Sequence, residues 1–122
     1  GFPVYGTCAG MILLAKDIVG SDQHRLGVLD VTVERNAFGR QVDSFEADVP
    51  MPELGEEPVH GVFIRAPYVA SAGPAVRVLG LYRDRIVAVR QGNILATAFH
   101  PELTTDRRVY GYFLEIVRAA RG

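Results

Sequence analysis

The sequence holds a single cysteine, Cys8, in 122 residues. One cysteine excludes an internal disulfide and fits a reducing compartment. No cluster with metal-ligand spacing appears either, so neither a metal nor any other cofactor is expected. No apolar run approaches the roughly 18 residues that a membrane span needs. The N-terminus has no basic stretch ahead of an apolar one and does not read as a signal peptide, so the expected location is cytoplasmic. Charge of neither sign dominates: 13 Lys+Arg stand against 14 Asp+Glu, for a net charge of −1. The basic residues do not run together, so the electrostatic footprint of a nucleic-acid binder is missing. An initiator Met is lacking too, and the chain opens directly in what reads as a core strand, so we expect a fragment or a processed chain. Repeats and low-complexity tracts are absent. What is there is at most one domain, with 48% hydrophobic residues to fill a core.

Residues 2–6 read as a short buried strand, with Pro3 tolerable near its beginning. Residues 9–18 read as a helix ending near Gly20. Leu26 to Glu34 mixes apolar and β-branched residues in near alternation and reads as a strand. The pattern breaks at Arg35-Asn36-Ala37-Phe38-Gly39-Arg40-Gln41, a loop, and Phe45 to Val49 is a short strand. Pro50 to Pro58, rich in proline and acid, reads as a surface loop. Val59 to Arg65 is a strand stopped by Pro67. Val76 to Tyr82 and Ile86 to Arg90 are strands linked by Arg83-Asp84-Arg85, and Gly92-Asn93 signals a hairpin into Ile94–Phe99. The last segment is a helix. Thr104 or Thr105 suits its N-cap and Asp106 its first turn. Val109, Phe113, Ile116, Val117 and Ala120 make one apolar face. Two helices bracketing many strands predict an α/β layered domain with an antiparallel portion. The opening strand, turn and helix want a parallel neighbour, and with no other helix to cross over to one, βα units are expected upstream.

Cys8 lies in Gly6-Thr7-Cys8-Ala9-Gly10, between the first strand and the first helix. A lone cysteine is ordinarily a small buried hydrophobe. Here the glycines permit a sharp turn and leave room around the sulfur. A thiol at a helix N-terminus also has its thiolate favoured by the dipole and free N–H groups. His100-Pro101-Glu102 follows an apolar strand. Residues two apart in an extended segment point the same way, and Pro101 pushes His100 into extended geometry. Glu102 can then accept a hydrogen bond from one ring nitrogen of His100, leaving the other to take a proton from a nucleophile. Read alone, the tripeptide could equally be a strand-end His and a helix-start Glu, both solvated. Arg35 and Arg65 by themselves read as solvated or ion-paired surface residues. His24 and His60 read as surface residues, and Glu53, Glu56 and Glu57 as a solvated acidic loop.

Taken together, these residues resemble class I glutamine amidotransferases, and most closely the glutaminase subunit of pyridoxal 5′-phosphate synthase. Four stretches carry the resemblance: Gly6 to Ala15; Arg35 to Gln41 with Asp43-Ser44-Phe45-Glu46; Val62-Phe63-Ile64-Arg65-Ala66-Pro67; and Phe99 to Thr104. The Cys and His-Pro-Glu motifs belong to the whole class, and the two arginine segments single out the family. The resemblance implies a flavodoxin-like, three-layer α/β fold with a mixed sheet, of which residues 1–122 are the C-terminal part of a single glutaminase domain. It implies Cys8 as nucleophile, His100 as acid/base and Glu102 as its orienter. It further implies the backbone N–H of Ala9 as an oxyanion donor, and Arg35, Ile64 and Arg65 as contacts to L-glutamine. A guanidinium suits the α-carboxylate of an amino acid. Ammonia would pass to a barrel-shaped synthase subunit that builds pyridoxal 5′-phosphate, and the glutaminase would be active mainly when docked. A Gly-Gly-Glu-Ser stretch that supplies part of the family's oxyanion hole is not in this sequence and is expected upstream. Two other readings are an inactive fragment or docking module of that complex, and a related Cys–His hydrolase, which the Ile64-Arg65-Ala66-Pro67 strand end disfavours.

Overall fold

The computed structural model describes residues 2–35 and 44–121. In chain order the elements are β1 (Val4–Thr7), α1 (Ala9–Leu14), β2 (Ala15–Ile18), β3 (Leu29–Glu34), β4 (Ser44–Val49), β5 (Val59–Ile64), β6 (Tyr68–Ala72), β7 (Arg77–Tyr82), β8 (Arg85–Gln91), β9 (Ile94–Thr97) and α2 (Arg108–Arg121). A seven-stranded mixed sheet has the order β1-β9-β8-β6-β3-β2, with β7 also on β8, and β4 and β5 form a two-stranded ribbon. The expected α/β architecture with a mixed sheet and antiparallel hairpins is observed.

The hairpins form where turn chemistry dictates. Gly92, at φ 59°, turns β8 into β9, while Arg83 and Asp84, at φ 49° and 64°, close the β7–β8 turn. Positive φ at both central residues matches the twist of a two-residue hairpin.

Four expectations need correction. The helix expected over residues 9–18 stops at Leu14, and the chain continues as β2, parallel to β3. The N–H groups of Leu26 and Val28 take the carbonyls of Leu13 and Leu14, so tertiary pairing ends a helix that local propensity would extend. The second is β6, which follows Pro67 with no sequence signal beyond Val69 and pairs with β3. Third, β1 finds its parallel neighbour within the chain, in β9; almost the entire sequence forms the crossover. Fourth, the acidic stretch after Pro50 is anchored rather than free: Met51 is fully buried, Leu54 N–H bonds to Met51 O, and Glu53 pairs with Arg77.

The C-terminal helix is confirmed, but its start is set by Asp106. The Asp106 carboxylate accepts hydrogen bonds from the N–H and guanidinium of Arg108, while the Thr104 hydroxyl donates to Pro101 O. Val109 and Ile116 are buried. Phe113 packs on Tyr5 at 5.6 Å between ring centroids. Across the molecule the β4–β5 ribbon lies over the sheet. Phe63 stacks on Phe45 at 4.7 Å and meets Phe99 at 5.4 Å and Tyr82 at 5.5 Å. A Cβ on Gly61 would lie 2.8 Å from the Phe99 ring, so a glycine is required for the ribbon to sit this close. The loop expected through Gln41 lies, beyond Arg35, outside the described residues.

Candidate active site

The sheet register determines which residues can meet. Thr7 pairs with Thr97, Thr97 with Ala88, and Ile86, earlier in β8, with Val69. Tyr68 in turn pairs with Glu34. The ends of β1, β9 and β3 and the start of β6 therefore share one edge of the sheet. Cys8 follows β1 there, His100 follows β9, and Arg35 follows β3.

Cys8 sits in a sharp elbow between β1 and α1, at φ 50° and ψ −104°, a backbone conformation that side chains disfavour. The elbow needs Gly6, because a Cβ there would lie 2.8 Å from the backbone C and O of Gly10 and 2.7 Å from Leu14 Cδ1. The thiol is partly buried and donates to the carbonyl O of Ile64 at 3.4 Å. Burial pushes it above the ordinary thiol range. The Ala9 N–H, bonded to the sulfur, pulls it down, and the Glu102 carboxylate adds to the rise. The expectation that the helix terminus favours a thiolate is thus outweighed in the resting protein. A six-residue α1 offers little dipole, and desolvation disfavours the charged sulfur.

His100 and Glu102 meet as expected, with Nδ1 2.7 Å from Oε2. The local geometry differs, since Pro101–Leu103 is a 3-10 turn rather than an extended segment. His100 itself is extended, at φ −103° and ψ 96°, as a residue before proline must be. Glu102 accepts the proton of Nδ1, which leaves the Nε2 lone pair as a base. Cys8 and His100 are brought to the same edge, but the Cys8 S–H points to Ile64 O and no hydrogen bond joins it to His100 among the described residues.

The end of β5 connects both. Val62 O accepts the His100 N–H at 2.8 Å, and Ile64 O accepts the Cys8 thiol. Arg65 follows at φ 46°, the other non-glycine residue at this site with positive φ. Arg35 is exposed and its guanidinium hydrogen-bonds the Gln23 side-chain carbonyl. Four strand positions separate β1 from β3, about 19 Å on a flat sheet. Arg35 thus shares the edge but is turned to Gln23 rather than to Cys8.

Thr97, the one buried polar residue among those described, carries little sequence signal beyond being the single hydroxyl in the apolar run Ile94–Phe99. It joins the two motifs. Its carbonyl accepts the Cys8 N–H at 2.7 Å, and its hydroxyl donates to Phe99 O at 2.9 Å. Tyr5 OH lies 2.9 Å from the same hydroxyl. Burial holds the Tyr5 phenol far above its usual range, against the lowering effect of that hydrogen bond. It therefore stays a neutral O–H and donates to Thr97. Among the described residues no group of His, Cys, Asp and Glu could hold a metal ion, and no helix is long and apolar enough to cross a membrane.

Comparison with known proteins gives a consistent assignment. The model of the SNO glutamine amidotransferase family matches residues 1–119. The chain is 64% identical over 117 residues to a Moorella thermoacetica protein named pyridoxal 5′-phosphate synthase subunit PdxT, covering 96% of this chain and 62% of that protein. A Desulforudis audaxviator protein of the same name is 62% identical over 117 residues, again with 96% and 62% covered. A solved structure described as a glutamine amidotransferase superposes with a TM-score of 0.87 at 58% identity, covering 93% of this chain and 59% of that one. The chain spans 62% of the length of these two curated relatives. With a matching family model, close relatives and a common fold, the chain belongs to the SNO glutamine amidotransferase family.

Proposed function

We propose that residues 1–122 are the C-terminal part of one glutaminase domain that hydrolyses L-glutamine to glutamate and ammonia. The observation that carries this reading is the placement of the Cys8 elbow and of a His100 oriented by Glu102 at one sheet edge, in a chain of this family. Cys8 loses its proton to His100 Nε2, and the thiolate attacks the side-chain carboxamide carbon. The carbonyl oxygen gains charge against the Ala9 N–H, one donor of an oxyanion hole. The C–N bond breaks, imidazolium returns its proton to the leaving ammonia, and a glutamyl thioester remains. Water, deprotonated by His100, hydrolyses the thioester and regenerates the thiol. Arg65, following Ile64 at the thiol, suits the substrate α-carboxylate and Ile64 the substrate main chain, and Arg35 joins them only by leaving Gln23. No metal or cofactor takes part.

The relatives' name supports a second component. Ammonia is delivered to a barrel-shaped synthase subunit for pyridoxal 5′-phosphate synthesis, in the cytoplasm. For attack the thiol must leave Ile64 O, on which it rests, and turn toward His100. The reading is tested by ammonia release from glutamine with the synthase subunit present. Cys8→Ala is expected to abolish it, and turnover undiminished by Cys8→Ala overturns the assignment.

A further inference from the structure

The link between the nucleophile and the base runs through one buried residue that neither motif contains. Thr97 ends β9, opposite Thr7 in β1. Its carbonyl holds the Cys8 N–H at 2.7 Å. Its hydroxyl donates to Phe99 O at 2.9 Å and accepts from Tyr5, 2.9 Å away. Phe99 O belongs to the peptide that carries the His100 N–H, which is itself fixed on Val62 O at 2.8 Å. That peptide is thus held from both sides, by Thr97 on one and by β5 on the other. Tyr5, on the nucleophile's own strand, holds the Thr97 hydroxyl in the rotamer that makes this possible.

We propose that Thr97 is a positioning residue, fixing the amide of Cys8 through its carbonyl and the peptide of His100 through a Tyr5-held hydroxyl, and so setting the separation of thiol and imidazole. A buried hydroxyl between apolar neighbours is retained only when its partners are present. The nucleophile's donor and the base's acceptor here meet on the same residue. The proposal rests on the reading of Cys8 and His100 as nucleophile and base, and its effect is on the geometry of attack rather than on substrate affinity.

The test compares Thr97→Val, Thr97→Ser and Tyr5→Phe in the full-length protein with its synthase subunit. Thr97→Val keeps the shape and loses both hydrogen bonds of the hydroxyl; Thr97→Ser keeps them; Tyr5→Phe leaves the bond to Phe99 O but frees the rotamer. A misplacement of this kind is expected to lower kcat for glutamine by about tenfold to a hundredfold in Thr97→Val, with KM unchanged. Thr97→Ser should restore kcat and Tyr5→Phe should fall between. A second readout, the rate of Cys8 alkylation by iodoacetamide at neutral pH, does not depend on the substrate being glutamine. It should slow in Thr97→Val and recover in Thr97→Ser. If the wild type hydrolyses no glutamine, the proposed function fails while the alkylation rates still decide the role of Thr97. Wild-type kcat and alkylation in Thr97→Val, or Thr97→Ser as impaired as Thr97→Val, overturn the positioning role. So does a Thr97→Val effect confined to KM.

Discussion

Cys8 is held in a conformation that costs on the order of 1–3 kcal/mol for a residue with a side chain, and Arg65 is the other non-glycine residue at this site with positive φ. Such strain persists only where the surroundings impose it. Around Cys8 they do so through Thr97 O on its N–H, Ile64 O on its thiol and Gly6 beneath α1. The resting thiol is kept neutral mainly by burial. Alkylation of Cys8 in the undocked protein should therefore rise with pH through a midpoint above the ordinary thiol value of about 8.5, followed as adduct formation by mass spectrometry. A midpoint below that value would mean that the Ala9 N–H outweighs desolvation. The elbow at Cys8 and the pairing of His100 with Glu102 were readable, because each sits in a motif whose spacing has a mechanical meaning. Thr97 was not, because its role comes from β1 and β9 pairing across most of the chain's length.

At the scale of elements, close packing makes two changes informative. Gly6→Ala would force a Cβ against the backbone of Gly10, and such overpacking costs about 1–3 kcal/mol. Its urea midpoint should fall, and the Cys8 elbow should lose reactivity with it. The β4–β5 ribbon, whose β5 ends at the site, carries His60 between Glu46 at 2.7 Å and Asp48 at 3.0 Å. These carboxylates, Glu46 first, raise the His60 pKa. A raised folded-state value stabilises fully below the unfolded value of about 6.5 and is lost as pH rises through the folded one. The Tm difference between wild type and His60→Ala should thus be larger at about pH 5.5 than at about pH 8.5; equal differences would contradict the ion pairs. Hairpins and the C-terminal helix were legible because Gly92-Asn93 and the apolar spacing of α2 are local signals. The short α1, β2 and β6 were not. Leu13 and Leu14 give up their carbonyls to Leu26 and Val28, and β6 exists because β3 and β8 offer edges to it.

At the scale of the molecule, the sheet turns three separate segments toward one edge and leaves the ribbon to close over it. Phe63 and Phe99, both fully buried and in contact, hold ribbon and sheet together. Phe99→Ala would cost about 3–5 kcal/mol and would loosen both the ribbon and the peptide before His100; its effect should show as a lower Tm together with lost ammonia release. The role of Cys8 as a nucleophile for glutamine decides the rest. It is tested most directly by treating the full-length protein, with its synthase subunit, with a glutamine-analogue electrophile and locating the adduct by mass spectrometry. A nucleophilic Cys8 gives a single adduct at that residue, blocked by excess L-glutamine and absent from Cys8→Ala. An adduct that L-glutamine does not block, or no adduct at all in the complex, would contradict it.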